Sequence, residues 1–287
     1  MAADALPAAL PVEPVSAADR RVIEERQLGH RASNVLAVGT RCRHGFPQAF
    51  VWDALKRPAA YDGNAASRGG AKQRAKERAA AGEHNRKIAL DSGLFWLSCP
   101  LLVKAADEWE AEGAVVNLNA EVSRSPPLAA ALDGVNRDHA NARRVLLGPR
   151  LAELMAESPP LDPSRAAMID RVMASGVAGQ TPTKPDVKCV HAQLAHRLCV
   201  GGADRAAAAD GAPLGDHLLE TLRQRGVSVD GDAGCANQCS LATPADDARD
   251  AGFWYTPAKN RWKLRTRQMR RKALANAPDA AKRGPSD

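Results

Sequence analysis

The chain has 287 residues, 45% of them hydrophobic and 25% charged, with a formal net charge of +7. That length is enough to bury a core, and no run of about 18 apolar residues is present, which excludes a membrane-spanning helix. Residues 1–14 have neither the basic start and apolar run of a secretory signal nor the Arg/Ser-rich character of a transit peptide. The expected location is therefore cytoplasmic, with a nuclear one possible, and the six cysteines are expected to stay reduced.

The charge is unevenly placed. From Lys259 onward there are ten basic residues and two acidic ones, so this stretch carries the whole positive excess. It reads as a basic appendage on a near-neutral domain.

In chain order, residues 1–19 read as a disordered leader, although Ser16 and Asp19 suit the cap and first turn of a short helix through Glu25. Val35-Leu36-Ala37-Val38 predicts a buried strand leading into Arg41-Cys42. Gly45-Phe46-Pro47 predicts a turn, and Ala49-Phe50-Val51-Trp52 the returning strand. Residues 57–87 form a polar, basic insert, expected to be a flexible loop.

Leu94-Phe95-Trp96-Leu97 predicts a further strand, and Cys99-Pro100 the start of a helix that Gly113 stops. Residues 128–157 predict mostly helix, divided at Gly134 and Pro149, with a short helix over 166–175 after a Pro-rich linker. A loop over 176–185 leads into a helix ending near Gly201, and another helix spans 217–224. Residues 228–257 read as an irregular, Cys-containing segment and 258–287 as the basic tail. The expected fold is α+β, with one main domain over residues 20–227 and a small antiparallel sheet packed by helices.

The chemistry concentrates in Lys188-Cys189-Val190-His191 and the following His196, with Cys42 and Cys99 in marked settings upstream. Thiol and imidazole are the side chains that bind zinc and do nucleophilic work near neutral pH. One straight helix cannot aim Cys189, His191 and His196 at one ion, since it rises about 1.5 Å per residue. With Cys189 in the loop and the helix beginning near His191, those two can turn to a common point. His196 and Cys199 share a face as a second possible pair. Cys99, at a helix N-terminus, sits where a thiolate is favoured. Cys235 and Cys239 have zinc-compatible spacing but do not complete a site. The plain alternative is that these cysteines are small buried hydrophobes.

These residues carry a resemblance. Arg26-Gln27-Leu28-Gly29, Arg41-Cys42 with Gly45-x-Pro47, Leu97-Ser98-Cys99-Pro100, Val187-Lys188-Cys189-Val190-His191 with His196, and Gly215-Asp216 resemble segments of a mostly bacterial family of uncharacterised proteins, domain of unknown function five hundred and one. The resemblance covers roughly residues 22–225 and departs at the basic insert, at Ala212, and at Cys199, Cys235, Cys239 and the tail. It supplies no activity. It implies that Cys42, Cys99, Cys189, His191 and His196 belong together, and that Cys99 stands where some members carry His, which suits a metal ligand better than a nucleophile.

Three functions from different classes follow. The first is a structural or regulatory zinc site built from Cys42, Cys99, Cys189 and His191 or His196. The second is a metal- or cysteine-dependent hydrolase on a small anionic substrate, with Cys99, Lys188 and Asp216 as catalytic candidates and Arg41 and Lys188 as anchors. The third is association with RNA or the ribosome through Trp262, Arg265, Arg267, Arg270 and Arg271, where an aromatic among cations can stack on bases.

Overall fold

The computed structural model describes residues 10–32, 34–55, 93–156, 163–181, 186–201, 214–243 and 255. The basic insert at 57–87 and the basic tail at 258–287 lie outside the described residues.

Four antiparallel strands form one sheet in the order β1-β2-β3-β4: β1 (Glu13–Pro14), β2 (Val35–Val38), β3 (Ala49–Trp52) and β4 (Phe95–Leu97). Around it, among the described residues, are eight helices: α1 (Ala17–Arg21), continued by a π-helical segment (Val22–Leu28), α2 (Pro100–Ala111), α3 (Ala114–Arg124), α4 (Pro126–Ala156), α5 (Pro163–Ala174), α6 (Val190–Val200), α7 (Leu214–Gln224) and α8 (Ala233–Cys239). The α+β class and the strands β2, β3 and β4 agree with the sequence reading.

The sheet sorts its side chains by alternation. Ala49 and Val51 of β3 join the main core with Leu102, Leu194 and Leu198, while Phe50 points to a smaller cluster with Ile23, Val35 and Val38. Phe50 stands opposite Trp96 in the β3–β4 register. Helix α6 lies against β3 and β4 on the main-core side. Its approach is close at Gly39, where a Cβ would stand 2.6 Å from the Leu198 carbonyl oxygen and 2.8 Å from Cys199 Sγ. Only a residue without a side chain fits there.

Several elements differ from expectation. Within residues 1–19, Glu13–Pro14 pairs with β2 as an edge strand, and Ser16 and Asp19 form a reciprocal capping box on α1. The edge is held from outside: Arg41 bonds Glu13 Oε2 at 2.9 and 3.0 Å and Asp19 Oδ1 at 2.7 Å. Helix α4 runs unbroken through Gly134 and Pro149. A glycine and a proline inside a helix are costly, but Leu132, Val135 and Leu147 are buried along it and offset that cost. Residues 233–239, expected to be irregular, are helical because Asp232 caps them by accepting from the Cys235 N–H at 2.7 Å.

Candidate metal centre

The start of α6 and one face of α2 build the site. Cys189 is the N-cap residue of α6, with extended backbone, so its side chain and that of His191 turn to the same side. His191 Nδ1 lies 3.8 Å from Cys189 Sγ and 3.1 Å from Glu110 Oε1. Glu110 also accepts the Val190 N–H at 2.6 Å, placing its charge at the helix N-terminus, where the backbone dipoles favour it. One donor atom from each of Glu110, Cys189 and His191 lies within 4.8 Å of the other two, and all three residues are half-buried.

The far nitrogen of His191 is held as well. Its Nε2 is 3.3 Å from Asp107 Oδ1 and 3.3 Å from the Val103 carbonyl oxygen. Val103, Asp107 and Glu110 follow one another at helical spacing on α2, so one helix face meets both ring nitrogens. The Tyr255 hydroxyl donates to Asp107. Tyr255 is itself fixed by Gln238 of α8, which accepts its N–H at 2.8 Å and donates to its carbonyl at 3.0 Å.

Electrostatics follow from this packing. Burial disfavours a charged ring on His191, but the bonds to Cys189 and Glu110 outweigh it and push the pKa up to about 10. Burial alone would raise Glu110. The facing His191 and the Val190 N–H instead hold its carboxyl below the ordinary value. Without a metal, the group is an imidazolium held by a carboxylate.

The structure brings Cys189 and His191 together and places the other predicted ligands elsewhere. His196 is buried one and a half turns along α6, with its ring 5.4 Å from that of His139 and 5.6 Å from that of Phe95. Cys199 is buried against Gly39, and burial raises its thiol pKa. Cys42 and Cys99 lie with Cys235 and Cys239 at the other end of α2. At Cys99, burial opposes the thiolate and the Leu101 and Leu102 N–H groups favour it. Burial wins and pushes the pKa up to about 12, the reverse of what a nucleophile needs.

The predicted anchors make internal contacts. Arg41 clamps Glu13 and Asp19, and Asp19 holds the guanidinium pKa above its ordinary value. Asp216 bonds Arg197 Nε at 2.6 Å and so ties α7 to α6. Lys188 is exposed and reaches the Gly179 carbonyl at 3.3 Å. Trp262, Arg265, Arg267, Arg270 and Arg271 lie outside the described residues. The sequence reading missed Glu110 and Asp107. Their spacing on α2 was visible, but acidic residues three apart on a helix are commonplace, and only packing against α6 singles these out.

A groove of about 490 Å³, lined by residues such as Asp133, Arg137 and Arg144, shares no residue with this group. None of the described helices is long and apolar enough to cross a membrane. A family model described as Protein of unknown function (DUF501) matches residues 38–208, a span that holds Glu110, Cys189 and His191 and leaves out Cys235 and Cys239. No curated protein and no solved structure matches the chain.

Proposed function

The chain belongs to the DUF501 family, and from its Glu/Cys/His group we propose that it is a zinc-binding protein whose ion, held by Glu110, Cys189 and His191, has a structural or regulatory role. The observation that carries this is the convergence of three different donor atoms within 4.8 Å. Zinc takes thiolate, imidazole and carboxylate ligands at about 2.0–2.3 Å, so small side-chain adjustments suffice. The contact between His191 Nε2 and Asp107 supports the reading further. A ligating imidazole ordinarily gives its other N–H to a carboxylate, which fixes ring orientation and raises ligand basicity. Bound there, an ion joins the C-terminal half of α2 to the first turn of α6.

Three protein ligands also leave a fourth position, the arrangement of zinc sites that activate water. This favours one second reading, a metal-dependent hydrolase acting on a small anionic substrate, with exposed Lys188 next in sequence to the site. Metal content per chain tests the first reading. Purified without chelator, the wild type is expected to carry zinc, and Cys189→Ala and Glu110→Gln each to lose one equivalent. Full metal content in both variants would reject the site.

A further inference from the structure

We propose that Cys42, Cys99, Cys235 and Cys239 form a second site, in which four thiolates hold a zinc ion that fastens α8 to the β2–β3 loop and to the start of α2. This site is independent of the Glu/Cys/His group and shares no residue with it.

The four cysteines come from three separate segments, and all are buried and free of disulfides. The point where a Gly231 Cβ would stand is 3.3 Å from Cys235 Sγ and 3.5 Å from Cys42 Cβ, and Gly231 has a positive φ of 102°. Gly231 itself thus adds no side chain between α8 and the β2–β3 loop, and the nearest atom to this point is His44 Cδ2 of that loop, at 3.2 Å. Cys99 enters from α2: its N–H donates to the Gln48 carbonyl at 3.0 Å, while the Gln48 side chain donates to the Val229 carbonyl at 2.6 Å. Cys239 enters from the end of α8. Gln27 Nε2 bridges its sulfur at 3.6 Å and the Pro47 carbonyl at 2.7 Å. Cys42 and Cys99 are tied to one short stretch of chain: the Cys42 N–H donates to the Phe46 carbonyl and the Cys99 N–H to the Gln48 carbonyl, each at 3.0 Å.

For Cys235 and Cys239, chelation explains the arrangement better than a disulfide between them. Cys235 and Cys239 are four apart on one helix, where same-face Cβ atoms stand about 5–6 Å apart. A disulfide needs roughly 3.5–4.5 Å, so that pair cannot close within the helix. A Cys-x3-Cys spacing does suit two ligands of one zinc. Without an ion, the Cys99, Cys235 and Cys239 sulfurs keep local partners. Cys235 Sγ, for example, accepts the Asp232 N–H at 3.2 Å and faces the Asp232 carbonyl at 3.3 Å. Among the described residues, only the Glu/Cys/His group has three donor atoms all within 4.8 Å, so these sulfurs must draw inward on binding. A rotamer step of about 120° moves a cysteine sulfur by roughly 3 Å, and sulfurs around zinc stand roughly 3.8 Å apart, given Zn–S near 2.3 Å.

The test is zinc, iron and acid-labile sulfide per chain, in full-length protein purified without chelator. The proteins are wild type, Cys189→Ala, and the double variant Cys235→Ser/Cys239→Ser. The expected result is two zinc ions in wild type and one in each variant. Unchanged zinc in the double variant overturns the four-thiolate site and leaves the Glu/Cys/His site standing. Unchanged zinc in Cys189→Ala, with one ion lost from the double variant, does the converse. A second measurement needs no variant: alkylation of each cysteine in wild type, mapped by mass spectrometry with and without chelator. Protection of all four thiols, released together by the chelator, is expected. Protection that ignores the chelator, a disulfide among the four, or iron with sulfide in place of zinc overturns the proposal.

Discussion

His191 is the residue whose ionisation most clearly links the site to solution behaviour. Its folded pKa of about 10 lies above the ordinary 6.5. In metal-free protein its contribution to stability is therefore complete below pH about 6.5 and is lost as pH rises through about 10. Glu110 has the opposite sign: its contribution is present above its ordinary 4.5 and is lost as pH falls through its lowered folded value. Urea unfolding of metal-free protein across this range is expected to show declining stability on the alkaline side, and Glu110→Gln should flatten the decline. Zinc must displace the imidazole proton, so apparent affinity should rise by roughly tenfold per pH unit below the His191 pKa from that proton alone. Asp107→Asn keeps the shape but removes the charge facing Nε2, and is expected to weaken zinc binding by about 10–100-fold. Competition titration with a chromophoric chelator reads that change, and an unchanged affinity would remove Asp107 from the site.

At the scale of elements, the site depends on how α6 is seated. Its N-terminus meets α2 through Val190 and Glu110, and its C-terminal half meets Gly39, the residue that follows β2. Gly39→Ala would put a methyl group 2.6 Å from the Leu198 carbonyl oxygen, a backbone atom that cannot turn aside. The expected cost is about 1–3 kcal/mol, as for an overpacked core, with weakened zinc binding at His191 as α6 shifts. A denaturation midpoint equal to that of wild type would show that contact at Gly39 does not constrain α6. Helix α8 shows why some elements escape a sequence reading. Gly231 and Gly234 mark its surroundings as loop, yet Asp232 caps the first turn and Cys235, Gln238 and Cys239 are buried. A seven-residue helix has too few turns for hydrophobic periodicity to stand out.

For the whole molecule, charge and metal chemistry are separable. The positive excess lies beyond Lys259, and both candidate sites lie before Ser240. A chain ending at Ala258 is expected to keep its zinc and to lose any salt-sensitive RNA binding that the full chain shows, measured by fluorescence anisotropy at two ionic strengths. Retained, salt-sensitive binding by the shortened chain would place the RNA contact outside the tail. Tyr255, just before that end point, stays with the folded part through Gln238 and Asp107.

The sequence by itself determined strands β2, β3 and β4, the loop position of Cys189, the helix starting beside His191, and the α+β class. Each is set by local rules: apolar runs bounded by turns, prolines and caps, and the angular spacing of a helix. It could also name the cysteines and histidines that carry chemistry, because few residue types do so. Only the tertiary structure decided the grouping. It divided Cys42 and Cys99 from Cys189 and His191, set His196 beside His139, and joined Glu110 to a thiol 79 positions away. Ligand sets are properties of surfaces that meet across long stretches of chain. α2 is the element that decides here, because its N-terminus carries one cluster and its C-terminal face the other.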